Sequence, residues 1–530
     1  MWWLDAGGRR CARRPRYQAF PLPRGRGVAW SRHLTRALTP ARAVLLVILL
    51  GTLARLALAG SLGLGIDESY MVAAGRTLRL GYFDHPPLSW WLSAGAARLA
   101  GSEAGWVVRL PFVALFALST WLMFRLTDAL FGARAGAWAA AALNLSPVFA
   151  VAAGGWVLPD GPLDCALLVA AVCLVHALPA RGPAWGWWLG AGLAAGLALL
   201  SKYSAGLVLA GAFLYLLTQP THRAWLRRPQ PYVAAVLALA AFAPALVWNA
   251  EHGWASFAFQ GARAGAERLL PFGPLTVLGG EALFLLPWLW LPLMVALLRG
   301  LRAGPAAWRT WLPVCLGIFP ILLFAVVGFW SRHVLFHWAA PGYLMLFPSL
   351  GAELERLAAI RPRLVRRALV GTLALLGVAV VAMVGEFGFD LIPPAADRLL
   401  PLARIELQAR DWTALPAALA ARGLLTPNLV LGGVGWQETG KLDYAMAGAA
   451  PVICLNPDTR QYSYAPGMAA HVGQDILIAS TKPVTAEMLA RQGAVFDALE
   501  PLPPVALMQP GRTGADLFLT RGRNLHAPAE

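Results

Sequence analysis

The sequence predicts a polytopic α-helical membrane protein that ends in a small α/β domain. Three observations carry the prediction. Hydrophobic residues make up 58% of the 530-residue chain and charged residues only 13%, about half the charged share of a soluble globular protein. Apolar runs long enough to cross a bilayer recur from Ala43 to the end of the run that opens at Ala368, each approaching the roughly 20 residues a span needs. Beyond residue 390 the pattern changes to short apolar runs separated by turn residues.

The net charge of +17 does not point to nucleic acid, because the arginines lie in an Arg-rich N-terminal tail and in short loops between apolar runs. Residues 1–42 carry no cleavage pattern of a secretory leader and read as a cytoplasmic tail, with the first span retained. Runs beginning near Ala43, Trp106, Ala135, Leu163, Trp187, Ser204, Pro231, Pro274, Trp311, Ala339 and Ala368 give about eleven spans within residues 43–390. The fifth and sixth are short and are separated at Ser201-Lys202-Tyr203. Counting them as two keeps the cluster Arg356, Arg361, Arg363, Arg366 and Arg367 on the cytoplasmic side, as the positive-inside rule requires.

Residues 391–530 read as an α/β domain on the outer face. "NLVLGGV", "PVICLN", "DILIAS" and "ADLFLTRG" have strand character; "WTALPAALAARG" and "VTAEMLARQG" have helical character. Cys165, Cys173 and Cys315 fall in apolar runs, Cys11 in the tail, and Cys454 stands alone in the last domain, so neither a disulfide within that domain nor a metal-ligand spacing is present.

On this topology the unusual polar residues gather on the outer side. The first outer loop, residues 66–105, holds Asp67, Glu68, Asp84 and His85; later loops hold Asp160, Lys202, His252, Arg263, Arg332 and His337. Taken singly, each has a structural use: Asp67 and Glu68 suit the first turn of the helix in "ESYMVAAGRTLRLG", and Lys202 suits an interfacial anchor. Gathered at one depth, acids, imidazoles and single cations read as a site. Asp67, Asp84 and Asp160 are also oxygen donors of the kind a divalent metal takes.

The pieces "DESY", "GYFDHPPLSWWL", "RLP", "LPDGPL", "LSKYSA", "WNAEHGWASFAFQGAR", "HWAAPGY", "KLDYAM" and "DTRQY" occur in order along the chain. With them the sequence resembles bacterial glycosyltransferase family 39 of the GT-C superfamily, which includes protein O-mannosyltransferases and aminoarabinose transferases. The resemblance implies a GT-C transmembrane catalytic domain in the bacterial inner membrane, a polyprenyl-phosphate-linked sugar donor and an envelope acceptor on the periplasmic face. It implies Asp67 as the acid that acts as general base or orients the acceptor, supported by Glu68. Lys202 falls where the family grips the donor phosphate, with Asp84, His85, Asp160, His252, Arg263, Arg332 and His337 as further substrate-binding candidates. Aminoarabinose transferases typically have Glu-Lys where this chain has Asp84-His85, so the resemblance specifies neither that sugar as donor nor lipid A as acceptor. In-line displacement implies inversion at the anomeric carbon. The alternative is a transporter or flippase of a lipid-linked sugar. Transporters place their ionisable groups near the midplane and often repeat their halves, and no second copy of the first-loop motif occurs here.

Overall fold

A computed structural model describes residues 39–263, 265, 268–389, 410–507 and 516–526. The Arg-rich tail up to residue 38 and the expected start of the last domain, 391–409, lie outside the described residues.

The chain is helical from Pro40 to Phe389. In order the helices are α1 (Pro40–Ser61), α2 (Ile66–Gly75), α3 (Leu88–Ala100), α4 (Gly105–Phe131), α5 (Ala133–Leu145), α6 (Asp160–Ala177), α7 (Trp185–Ser201), α8 (Ala205–Thr218) and α9 (Gln230–Glu251). There follow α10 (Ala255–Ala262), α11 (Gly273–Leu285), α12 (Pro287–Ala303), α13 (Trp308–Val327), α14 (Ala340–Ile360) and α15 (Pro362–Phe389). Every expected apolar run is a helix. By length and apolarity alone six qualify singly as membrane spans: α1, α4, α6, α9, α13 and α15 up to Gly385. α7 and α8 are shorter apolar helices, separate as expected, with the break at Lys202 in extended conformation.

The run expected as one span from Pro274 is instead two helices, α11 and α12, bent by 115°. The cause is local. Pro287 has no N–H to continue the helical ladder and disfavours the α conformation in the residue before it; Leu286 leaves the helical region, at φ 73° and ψ 126°.

Small residues set the closest helix crossings. A Cβ added at Gly192 would lie 2.4 Å from the Ala234 carbonyl oxygen, and one at Gly196 2.7 Å from that of Ala238, so α7 and α9 touch backbone to backbone. The Gly-x-x-x-Gly spacing achieves in this bundle what apolar attraction cannot achieve in lipid.

The C-terminal domain contains α16 (Leu415–Ala421), β1 (Leu431–Gly433), α17 (Trp436–Met446), β2 (Val452–Cys454), β3 (Ile476–Ser480), α18 (Ala486–Arg491), β4 (Phe496–Ala506) and β5 (Asp516–Leu525). Its sheet order is β2-β1-β3-β5-β4. β1 is parallel to β2 and β3; β5 is antiparallel to β3 and β4. The four strand-type runs and both helical runs form as expected. β4 was not foreseen, because Pro501, Pro503 and Pro504 interrupt it. Prolines are tolerated there because the strand is an edge, and its register shifts between Leu502 and Val505.

This domain is seated on the first loop rather than tethered beside it. Tyr70, Met71, Tyr82 and Trp90 share one buried cluster with Trp436, Tyr444, Cys454 and Tyr462. The Lys441 ammonium, 2% exposed, donates to the carbonyls of Leu64 at 2.6 Å and Arg410 at 2.5 Å. Arg76 donates to Asp443 and Glu103, and the Tyr444 hydroxyl to the Glu103 carbonyl. α17 lies so close to α2 that a Cβ at Gly440 would stand 2.8 Å from Tyr70 Cβ and 2.9 Å from its Cα. Neither atom can swing away. Gly440→Val is therefore expected to cost about 1–3 kcal/mol, the usual penalty of overpacking. It should also speed proteolysis at the C-terminal domain, and an unchanged melting temperature with unchanged cleavage would contradict the seating.

Candidate active site

Two adjacent acids on α2 diverge, one into the core and one into a cavity, and this divergence organises the site. Successive helical residues are about 100° apart, so only one of Asp67 and Glu68 can face the core. Glu68 does. Its carboxylate accepts from Arg109 Nε at 2.8 Å and Nη2 at 2.5 Å, from the Gly65 N–H at 2.8 Å and from the Val157 N–H at 3.0 Å. Arg109 also donates to the carbonyls of Ala59, Leu62 and Gly63 at the end of α1. Burial alone would raise the Glu68 carboxyl; the Arg109 charge and the hydrogen bonds outweigh it and hold the group below its ordinary value. The structure thus assigns the expected catalytic helper Glu68 another place: it staples α1, α2 and α4 and caps α2, away from the cavity.

Asp67 opens into a cavity of about 1190 Å³. Its side chain is accessible and lines that cavity. Burial pushes its carboxyl up to about 6, with Arg460 opposing and Asp84 and Glu68 adding to the rise. A carboxylate poised there is suited to take a proton near neutral pH.

The cavity also collects Asp84, His85, Asp160, Lys202, Arg263 and His337 from widely separated segments. Lys202 reaches it because the α7–α8 break frees its side chain, and its Nζ meets Asp160 Oδ1 at 2.9 Å, at the first turn of α6. Asp84 is buried; it accepts from the Tyr70 hydroxyl at 3.2 Å and from Arg460 at 3.3 Å, and burial keeps it above the ordinary carboxylate value against the pull of Arg460. The Arg263 guanidinium lies over the Trp338 ring at 4.5 Å and has no carboxylate partner among the described residues.

Burial lowers His85 to about 3 and His337 to about 4, Lys202 adding to both shifts. Both imidazoles are neutral at physiological pH, and His85 Nδ1 is buried without a hydrogen-bond partner among the described residues. Arg332 is exposed and does not line the cavity. His252 lies outside it too, stacked on Trp248 at 4.2 Å with Nδ1 2.7 Å from the Trp248 carbonyl. The remaining wall is apolar: Leu283, Phe284, Leu323, Phe324, Leu335 and Trp338. No three His, Cys, Asp or Glu side chains among the described residues cluster as metal ligands would.

Arg460 and Trp436 line the same cavity from the C-terminal domain. Neither was singled out in the sequence. "DTRQY" marked the segment, but nothing in its composition places a guanidinium beside acids nearly 400 residues earlier.

Residues 84–248 match the dolichyl-phosphate-mannose-protein mannosyltransferase family. The crystal structure of ArnT from Cupriavidus metallidurans in the apo state superposes with a TM-score of 0.60 at 17% identity, covering 90% of this chain and 97% of that one. The same protein bound to undecaprenyl phosphate gives 0.59 at 18% identity and the same coverage. The chain shares the fold of that protein over nearly its whole length. In sequence, the lipid A galacturonosyltransferase RgtD of Rhizobium johnstonii is 25% identical over 187 residues, which span 35% of this chain and 38% of that relative. The family match begins at Asp84 and ends at Trp248, so it takes in His85, Asp160 and Lys202 but neither Asp67 nor the C-terminal domain. Asp67 and the C-terminal domain lie within the part of the chain that only the structural superposition covers.

Proposed function

We propose that the protein is a membrane glycosyltransferase that moves a sugar from a polyprenyl-phosphate-linked donor to an acceptor hydroxyl at the periplasmic face of the inner membrane. The observation that supports this best is the cavity itself. One wall is apolar and suits a prenyl chain; the other holds Lys202 and Arg263 for a phosphate and Asp67 for a proton. A soluble nucleotide sugar would have no use for the apolar wall, and an activated sugar outside the cytoplasm must arrive on a lipid. ArnT bound to undecaprenyl phosphate and the lipid A galacturonosyltransferase make a lipid donor and an envelope glycolipid acceptor the reading to test first.

In this mechanism Asp67 accepts the proton of the acceptor hydroxyl as its oxygen forms the new bond to the anomeric carbon. The bond from that carbon to the phosphate oxygen breaks on the opposite side, inverting the centre, and the electron pair leaves with polyprenyl phosphate. Lys202 and Arg263 stabilise the charge that develops on the leaving group, usually the larger contribution, and the apolar surroundings strengthen them. Asp160 orients Lys202. His85 and His337, being neutral, are free to hydrogen-bond sugar hydroxyls.

Since Asp67 is active as the carboxylate and titrates near 6, transfer should be lost as pH falls through about 6 and reach a plateau above it. Rates measured on reconstituted protein between pH 5 and 8 check this; a flat profile would remove Asp67 from the rate-limiting proton transfer. The function itself is tested by deletion and complementation. Mass spectrometry of envelope glycolipids and polysaccharides should show one species lacking a defined sugar in the deletion strain, restored by the wild type and not by Lys202→Ala expressed at the same level. Accumulation of the donor with no change in any acceptor would instead favour transport.

A further inference from the structure

The C-terminal domain supplies more than a cover for the first loop. Its Arg460 begins the short 3-10 segment Arg460–Tyr464 with the backbone at φ 49°, a left-handed conformation that a side-chain-bearing residue adopts at a cost and that concentrates at functional positions. The guanidinium carbon lies over the Trp436 ring, 3.8 Å from its centre, and 5.2 Å from the ring centre of Phe259 of α10. Its hydrogen bonding is incomplete. A guanidinium has five N–H donors; this one makes a single hydrogen bond to the Asp84 carboxylate, at 3.3 Å. Its Nε is buried without a partner, the Asp458 carboxylate standing 3.6 Å away. A positively charged fork fixed by stacking, facing a cavity and mostly unfilled, is what a planar oxyanion requires.

The position is also maintained from both sides. The Gln461 N–H donates to the Tyr70 hydroxyl at 3.1 Å, and that hydroxyl donates to Asp84. The Gln461 side-chain oxygen accepts from the Phe83 N–H at 2.8 Å. The residue next to Arg460 is thus tied to the helix that carries Asp67 and to the loop that carries Asp84.

Resting on the reading of a polyprenyl-phosphate donor, we propose that Arg460 is a substrate-binding residue that takes a phosphate oxygen of the donor lipid, with Asp84 as its resting counter-ion, so that the transfer site is shared between the membrane bundle and the C-terminal domain. When phosphate arrives, the weak Asp84 contact yields to charge-assisted hydrogen bonds from the fork.

The test uses the full chain in nanodiscs and undecaprenyl phosphate as the probe, with affinity measured directly and melting temperature recorded for every variant. Arg460→Gln should weaken binding about tenfold or more, the usual effect of losing a hydrogen bond to a charged group. Arg460→Lys should fall between, since it keeps charge but loses the fork and the stacking. Arg491→Gln, on the exposed face of α18, should bind as the wild type does. Asp84→Asn removes the competing carboxylate and should tighten binding; this arm decides the matter if Arg460→Gln proves unstable. Wild-type affinity in Arg460→Gln, or weaker binding in a folded Asp84→Asn, would overturn the inference while leaving the donor reading intact. A wild-type protein that ignores undecaprenyl phosphate would overturn both.

Discussion

Asp67→Asn will lower the turnover of sugar transfer by roughly 100- to 10,000-fold, the range a positioned general base supplies, while the protein remains folded and still binds undecaprenyl phosphate. The substitution is nearly isosteric, and Asp67 accepts no hydrogen bond from the described residues, so little structure depends on it. The loss should appear in kcat rather than in donor affinity, because the proton moves only in the transition state. The pH dependence should vanish with it. Single-turnover transfer from labelled donor, with binding measured in parallel, separates these quantities. Full turnover in the variant would leave Asp67 without a catalytic role and move the base elsewhere in the cavity.

The adjacent residue should behave in the opposite manner. Glu68→Gln or Arg109→Leu is expected to destabilise the fold by roughly 3–5 kcal/mol, because each strands a buried charge that had been paired. The pair is 2–3% exposed, and little water can reach the group left behind. The Arg109→Leu change additionally leaves three carbonyls, those of Ala59, Leu62 and Gly63, without their donor. The linkage sign for Glu68 is that of a depressed carboxyl. Its contribution is present above the ordinary glutamate value and is lost as pH falls through the lower folded value. The wild type should therefore lose stability in acid more steeply than Glu68→Gln. Denaturation in detergent at pH 7 and in the acid range tests both statements. A variant as stable as the wild type at both pH values would show that the staple is dispensable.

These two neighbours illustrate what was legible in the sequence and what was not. The apolar runs are self-reporting, because lipid tolerates only helices with satisfied backbones, and their periodicity needs no knowledge of partners. The residues that line the cavity from the loops beside α2, α6 and α7 were legible for a related reason: an ionisable group beside a span is costly and stands out. Which of two consecutive acids faces a cavity was not legible, since it depends on the rotation of α2, set by Arg109 more than 40 residues away. The charge state of His337 was not legible either, since it follows from burial beside Lys202. Arg460 escaped notice because arginines in a loop of an ordinary α/β domain are unremarkable until the domain is seated. The break at Leu286 was written in the dipeptide Leu286-Pro287 but masked by continuous apolarity on either side.

The seating of the C-terminal domain also has a consequence for timing. Leu64 meets Lys441, Tyr70 meets Gly440 and Gln461, and Asp84 meets Arg460; every one of these contacts joins an early segment to one synthesised hundreds of residues later. When the last apolar helix has been made, the part of the cavity wall that comes from Trp436 and Arg460 is therefore still missing. The cavity gains its Arg460 and Trp436 wall only when the last part of the chain has folded onto the first loop, so the order of synthesis makes its completion a late event.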